Sequence, residues 1–164
     1  MAEPEFGPEK ILATLEAHDV RCVLIGGFAA VIHGSPYLTT DVDVVPAVDR
    51  ENLERLSDAL RSLHAKVWTS AEPDGVPFDD SASSLADVRV WNLVTDHGRL
   101  DLTFQPSGTQ GYDDLVRDAS HLVILGVGVD VASLADIIRS KEAAGREKDR
   151  LVLPVLRRLA EEGA

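Results

Sequence analysis

Two aspartates separated by one residue, Asp41 and Asp43 in the run Asp-Val-Asp-Val, are the side chains of this sequence best suited to chemistry. In an extended segment alternate side chains share a face, so the two carboxylates point the same way, roughly 7 Å apart along the chain, and Val42 and Val44 point the other way. Left unpaired, such acids repel each other and resist desolvation, and a divalent cation between them offsets both costs. A third acid, Asp101, stands between leucines in Leu100-Asp101-Leu102, and the pair Gly26-Gly27 follows the apolar run 20–25, where bare backbone allows close approach of a ligand. Each feature also has a plainer reading. The glycines are a turn, Asp41 and Asp43 are strand-end acids reaching solvent with Thr39 or Thr40 as turn partners, and Asp101 pairs with Arg99 or Arg89.

The elements that must hold these residues follow from periodicity and punctuation. Residues 8–18, with Pro8 at the first helical position and Ile11, Leu12 and Leu15 at helical spacing, predict an amphipathic helix, and 21–25 predict a strand. Residues 28–32 read as a short helix, apolar on nearly all sides and therefore buried, ended by Gly34-Ser35-Pro36, with His33 packing at its end or shaping the loop by a hydrogen bond. The acidic strand spans 41–45 and is stopped by Pro46; Asp49 caps a helix over 50–64, whose leucines recur every three or four residues. Residues 65–69 form a short strand and 70–86 a long loop. Strands 88–94 and 99–104 flank a hairpin turn at 95–98, and a short helix over 111–119 precedes strands 121–125 and 127–132. Ser133 caps a helix ending at Gly145, and a last helix over 147–162 is interrupted or kinked by Pro154.

The 164 residues make one domain, large enough to bury about 70% of its unfolded surface without staples. With 45% hydrophobic and 27% charged residues the composition is that of an ordered soluble protein. The single cysteine, Cys22, rules out an intramolecular disulfide and reads as a buried core thiol. No run is long enough to cross a membrane and the acidic start does not read as a signal peptide, so a cytoplasmic location is expected. A net charge of −12 disfavours broad nucleic-acid binding by the whole surface. The charge is uneven: residues 139–158 hold seven basic against three acidic residues, a local +4, so an anion site near the C-terminus is compatible with the sequence. No nucleophile elbow and no paired Cys/His zinc spacing occurs, and Gly126-Val-Gly128 leads into a strand pattern rather than a dinucleotide fingerprint.

In chain order, Gly26-Gly27, Asp41-Val42-Asp43-Val44 and Leu100-Asp101-Leu102 resemble the nucleotidyltransferase superfamily, whose pattern is a Gly-Gly or Gly-Ser turn after a strand, an Asp-apolar-Asp or Glu pair, and a third acid on a neighbouring strand. More narrowly, the run Gly-Gly-Phe-Ala-Ala-Val-Ile-His-Gly and the tail 136–149, which holds Lys141, Arg146, Lys148 and Asp149, resemble the AbiEii-type toxin nucleotidyltransferases and their small relatives. The resemblance spans residues 20–46 and 97–150. It implies an α/β (α+β) nucleotidyltransferase fold, a mixed central sheet flanked by helices with a C-terminal helical segment over about 133–162. It also implies transfer of NMP from an NTP to a hydroxyl acceptor on tRNA or protein, as the toxin of a toxin-antitoxin or phage-defence pair with a cognate antitoxin.

By that resemblance Asp41 and Asp43 hold two Mg²⁺ ions, and Asp101 completes the second site and helps activate the acceptor hydroxyl. Gly26, Gly27, Thr40, Lys141 and Arg146 contact the nucleotide, with Lys148 a weaker candidate; the plainer reading of Lys141 is a solvated helix face. The chemistry fits: nucleotidyl transfer is mainly positioning and charge neutralisation, and Mg²⁺ prefers oxygen ligands. Tyr37 stands where relatives commonly carry a basic residue, and Phe28 where a serine often follows the second glycine, which motivates a catalytically inactive nucleotide- or partner-binding module as an alternative. Another alternative, an antibiotic-modifying adenylyltransferase, ordinarily requires a sizeable helical substrate domain. This chain offers two C-terminal helices unless a dimer supplies the rest, and the sequence leaves the oligomeric state open.

Overall fold

The computed structural model describes residues 4–163. Seven strands form one mixed sheet in the order β3-β4-β5-β2-β1-β7-β6. These are β1 (Cys22–Ile25), β2 (Asp41–Pro46), β3 (Lys66–Val67), β4 (Val90–Thr95), β5 (Gly98–Thr103), β6 (Ser120–Ile124) and β7 (Val127–Val131). β2 pairs with β5 and β1 with β7 in parallel, and the remaining neighbours are antiparallel. The helices are α1 (Pro8–Ala17), α2 (Gly26–Ile32), α3 (Arg50–Ser62), α4 (Ala82–Ala86), α5 (Tyr112–Leu115), α6 (Leu134–Ala144) and α7 (Glu147–Glu162). No described helix is long and apolar enough to cross a membrane. This is the mixed sheet flanked by helices that the sequence predicts.

The core collects the residues that the periodicities place on one face. Ile11, Leu12 and Leu15 of α1, Leu53, Leu56 and Leu60 of α3, and the alternating Val42 and Val44 of β2 are all buried. Leu100 and Leu102 of β5 are fully buried while Asp101 between them faces the opposite side, as the two-residue period of a strand requires. Asp49 caps α3 by accepting from the Asn52 amide, and Ser133 caps α6 by accepting from the Asp136 amide.

Several expectations need correction. The stretch 70–86 is not wholly loop, because Ser81 accepts a hydrogen bond from the Ser84 amide and starts α4. The strand expected over 65–69 shrinks to Lys66–Val67, and β2 runs through Pro46 rather than stopping before it. α2 is less buried than its composition implies, with only Ala29 and Ala30 enclosed and Val31 exposed. Of the two outcomes expected at Pro154, interruption is excluded, because α7 is continuous through it. The proline lacks the amide that would bond the Arg150 carbonyl, yet the helix continues around it, with Leu153 and Leu156 anchored in the core. Cys22 is partly rather than fully buried; burial, reinforced by Asp130, pushes its thiol up to about 12.

Candidate active site

Register assembles the acids. β2 and β5 run parallel with Asp43 beside Asp101 and Asp41 beside Arg99, so carboxylates far apart in sequence reach one face of the sheet. One carboxylate oxygen from each of Asp41, Asp43 and Asp101 lies within 4.8 Å of the others. The donor set is oxygen only and partly buried, a combination suited to a hard divalent cation such as Mg²⁺ and unsuited to a soft metal.

Gly26 shows why glycine must follow β1. Its φ is +74°, and a Cβ there would stand 2.1 Å from Asp43 Oδ2. The residue is required by backbone conformation and by the carboxylate pressed against it. Thr39, not Thr40, is the turn partner of Asp41: its hydroxyl lies 3.2 Å from the Asp41 carbonyl and 3.3 Å from Oδ1.

The electrostatics of the cluster are unresolved within the protein. Burial, reinforced by the charges of Asp41 and Asp101 and by a hydrogen bond with Asp101, pushes Asp43 up to about 7, against the opposing pull of Lys148. Asp101 is also raised, by burial first and by Asp41, although Arg99 pulls the other way. The Arg99 guanidinium donates to Asp101 Oδ1 at 2.9 Å, its Nε donates to the Leu93 carbonyl at 3.1 Å, and it stacks 4.0 Å from the centre of the Trp68 ring. The ion pair foreseen as a plainer role for Asp101 is therefore present, and it coexists with membership of the acid cluster.

A cavity of about 920 Å³ opens over the cluster, and Gly26, Gly27, Thr40, Lys141 and Arg146 all line it with the three aspartates. Lys148 lines it as well. Lys141 is not the solvated helix face of the plainer reading, since its side chain is only 15% exposed and lies 3.7 Å from Asp149. Asp149, 1% exposed, also accepts from Arg146 Nε at 2.8 Å and from the Arg146 amide at 3.2 Å, closing the start of α7. Burial works to raise the Asp149 carboxyl, but the Arg146 hydrogen bonds and charge, with Lys141, leave it lowered.

The rest of the basic segment is similarly engaged. Arg139 pairs with Asp114 and Asp136, and Arg157 with Glu142. Four of its seven cations are thus held in ion pairs among the described residues.

Tyr37 lines the cavity and is half-exposed, whereas Phe28 packs against the core and lies outside the lining. His33 donates from Nε2 to the Ala132 carbonyl at 2.8 Å, which ties the end of α2 to the segment that follows β7. Among the lining residues that the sequence reading did not place in the site are Asn92, Leu38, Val90 and Leu151. Asn92 was within reach of it: counting back from the two-residue turn that pairs Thr95 with Gly98 places Asn92 opposite Asp101. Leu38 carries no periodic signal, being a loop residue.

No protein-family model and no curated protein matches this sequence. Solved structures do. A protein from Thermotoga maritima described as a candidate nucleotidyltransferase superposes with a TM-score of 0.55 at 18% identity, covering 97% of each chain. The lincosamide antibiotic adenylyltransferase LnuA, solved with lincomycin bound, superposes with a TM-score of 0.61 at 15% identity, covering 93% of this chain and 95% of LnuA. With the seven-stranded mixed sheet and its flanking helices, these likenesses establish that the chain has the nucleotidyltransferase fold.

Proposed function

We propose that this chain is a divalent-metal-dependent nucleotidyltransferase that moves a nucleoside monophosphate from an NTP to a hydroxyl acceptor and releases pyrophosphate. The observation that carries the reading is the convergence of Asp41, Asp43 and Asp101 at the floor of a large cavity, mutually repelling and with no cation among the described residues neutralising all three. Mg²⁺ held by these carboxylates, two ions by the family resemblance, would neutralise charge on the transferring phosphoryl group and on the departing pyrophosphate.

The chain's own residues do the rest. Gly26 and Gly27 leave backbone open to the triphosphate, and Thr40, Lys141, Lys148 and Arg146 face the same space. Asp149 keeps Lys141 and Arg146 directed into the cavity. Asp101, whose Oδ1 accepts from Arg99, is the carboxylate placed to take the proton of an acceptor hydroxyl. Use of NTPs fits a cytoplasmic setting.

For the acceptor, the AbiEii-type resemblance points to a tRNA end or a protein hydroxyl and to a toxin paired with an antitoxin. A second reading, a small-molecule acceptor as in antibiotic adenylylation, is favoured by one finding. LnuA, solved with lincomycin bound, matches over 95% of its own length, so a chain of this size, alone or as a dimer, can serve a small acceptor.

The test is incubation with each α-labelled NTP, Mg²⁺, total tRNA, cell protein and a low-molecular-mass extract. Label transferred by the wild type and not by Asp41→Ala/Asp43→Ala supports the assignment; absence of transfer by both sinks it.

A further inference from the structure

Exposed apolar side chains are not spread evenly over this molecule. Among the described residues ten large hydrophobic side chains are exposed, and four of them, Tyr37, Leu38, Val90 and Leu151, line the cavity above the acids. Leu38 is 99% exposed, Leu151 68% and Tyr37 50%. They come from three separate places, the loop before β2, strand β4 and helix α7, so the apolar rim arises only in the folded chain. Isolated surface hydrophobics are ordinary, but a group gathered at the mouth of a polar cavity marks a place where apolar surface is to be covered.

The rim adjoins the reacting end of the cavity. Val90 lies opposite Thr103 and Asn92 opposite Asp101 in the β4–β5 pairing, and all four line the cavity. An acceptor resting on Val90 therefore has the Asn92 amide and the Asp101 carboxylate beside it, the two groups needed to hold and deprotonate a hydroxyl.

The charges near the rim are those of a site for something other than a polyanion. Four basic residues line the cavity, Arg89, Lys141, Arg146 and Lys148. Lys141 and Arg146 are paired with Asp149, and Lys148 acts on Asp43. Once these three serve the triphosphate, Arg89 alone remains for an acceptor, against a protein of net charge −12. A nucleic acid relies on several phosphate contacts and would be repelled by that field.

From the rim and the charge distribution together, we propose that Tyr37, Leu38, Val90, Asn92 and Leu151 form an acceptor subsite for a small hydroxylated molecule, neutral or cationic, with an apolar face. The proposal rests on the transferase reading above. The acceptor oxygen attacks the α-phosphorus of the NTP and forms the new O–P bond. The bond from that phosphorus to the bridging oxygen of the β-phosphate breaks, pyrophosphate departs with those electrons, and the hydroxyl proton passes to Asp101 and on to solvent.

The experiment offers α-labelled NTPs and Mg²⁺ with three separate acceptor pools: a filtrate of cell extract below about 1 kDa, total tRNA, and dialysed cell protein, with lincomycin as a defined fourth probe. The expected result is label in the filtrate or on lincomycin. Leu38→Ser, at a fully exposed position that leaves folding intact, and Tyr37→Ala lower the rate at limiting acceptor about tenfold, while NTP affinity by calorimetry is unchanged. Label on tRNA or protein, or wild-type rates in both variants, overturns the subsite and leaves the transferase reading standing. Absence of label from every pool removes the transferase reading and this subsite with it.

Discussion

The floor and the wall of the cavity are built from opposite charges in opposite ways. On the floor, β2 and β5 bring Asp41, Asp43 and Asp101 together, and the nearest cation, Arg99, reaches only one of them directly. On the wall, α6 and α7 bring Lys141 and Arg146 together around Asp149, which is enclosed, hydrogen-bonded and neutralised. Asp43 and Asp101 are pushed up by burial and by neighbouring acids, whereas Asp149 is held down by its basic neighbours despite burial. The wall is satisfied by the protein itself. The floor is a cluster whose charge the fold leaves open, and a ligand of opposite sign is what relieves it.

The comparison breaks most visibly at Asp43. Asp43→Asn is expected to lower nucleotidyl transfer by about a thousandfold or more, roughly 4 kcal/mol of transition-state stabilisation, and to remove any Mg²⁺-dependent rise in melting temperature. Retention of that rise in the variant would show that the floor does not hold the metal. Gly26→Ala comes next. The added Cβ meets Asp43 Oδ2 at 2.1 Å and the φ of +74° disfavours any side chain, so a loss of about 2 to 3 kcal/mol in chemical denaturation is expected, together with weakened Mg²⁺ binding. Loss of stability without a change in metal affinity would separate Gly26 from the site.

Asp149→Asn tests the wall. It leaves Lys141 and Arg146 without their shared acid, and a loss of about 2 kcal/mol is expected, less than for a fully enclosed pair because the Arg146 side chain is 59% exposed and stays hydrated. If denaturation shows no loss, the ion pairs of the wall are as weak as ordinary surface pairs.

The smallest expected effect is the sharpest in sign. The carboxyl of Asp43 is raised to about 7, so in chelator its contribution is fully present below the ordinary carboxylate range and is lost as pH rises through about 7. The carboxyl of Asp149 is lowered, so its contribution is present above that range and is lost as pH falls through its depressed value. Thermal melts in chelator should therefore show Asp43→Asn gaining on the wild type between about pH 4 and 7, and the deficit of Asp149→Asn shrinking below about pH 4. Parallel curves for the two variants would dissolve the contrast between floor and wall. Added Mg²⁺ should reverse the Asp43 trend above pH 7.

Much of this was legible before folding because it is local. The apolar spacing of residues 50–60, the alternation in 41–45 and 100–102, the caps at Asp49 and Ser133 and the turn between β4 and β5 all act over a few residues, and each element appears where those signals put it. The errors lie where local signals are weak or overridden. Ser81 capped a helix of only five residues inside a polar stretch, and Pro154 was tolerated because Leu153 and Leu156 tie α7 to the core on both sides of it.

The sequence alone determined which residues could form the site: a glycine pair ahead of two aspartates on one strand face, a third acid between leucines, and a basic tail. Only the tertiary structure decided that Asp43 stands beside Asp101, that Gly26 must be bare because a carboxylate presses on it, that Lys141 answers to Asp149, and that Tyr37, Leu38, Val90 and Leu151 share one rim. The reason is physical. Side-chain alternation and capping are set by neighbours in the chain, whereas the register of two parallel strands joined by a long crossover, and the approach of one helix to another, are set by the packing of the whole core.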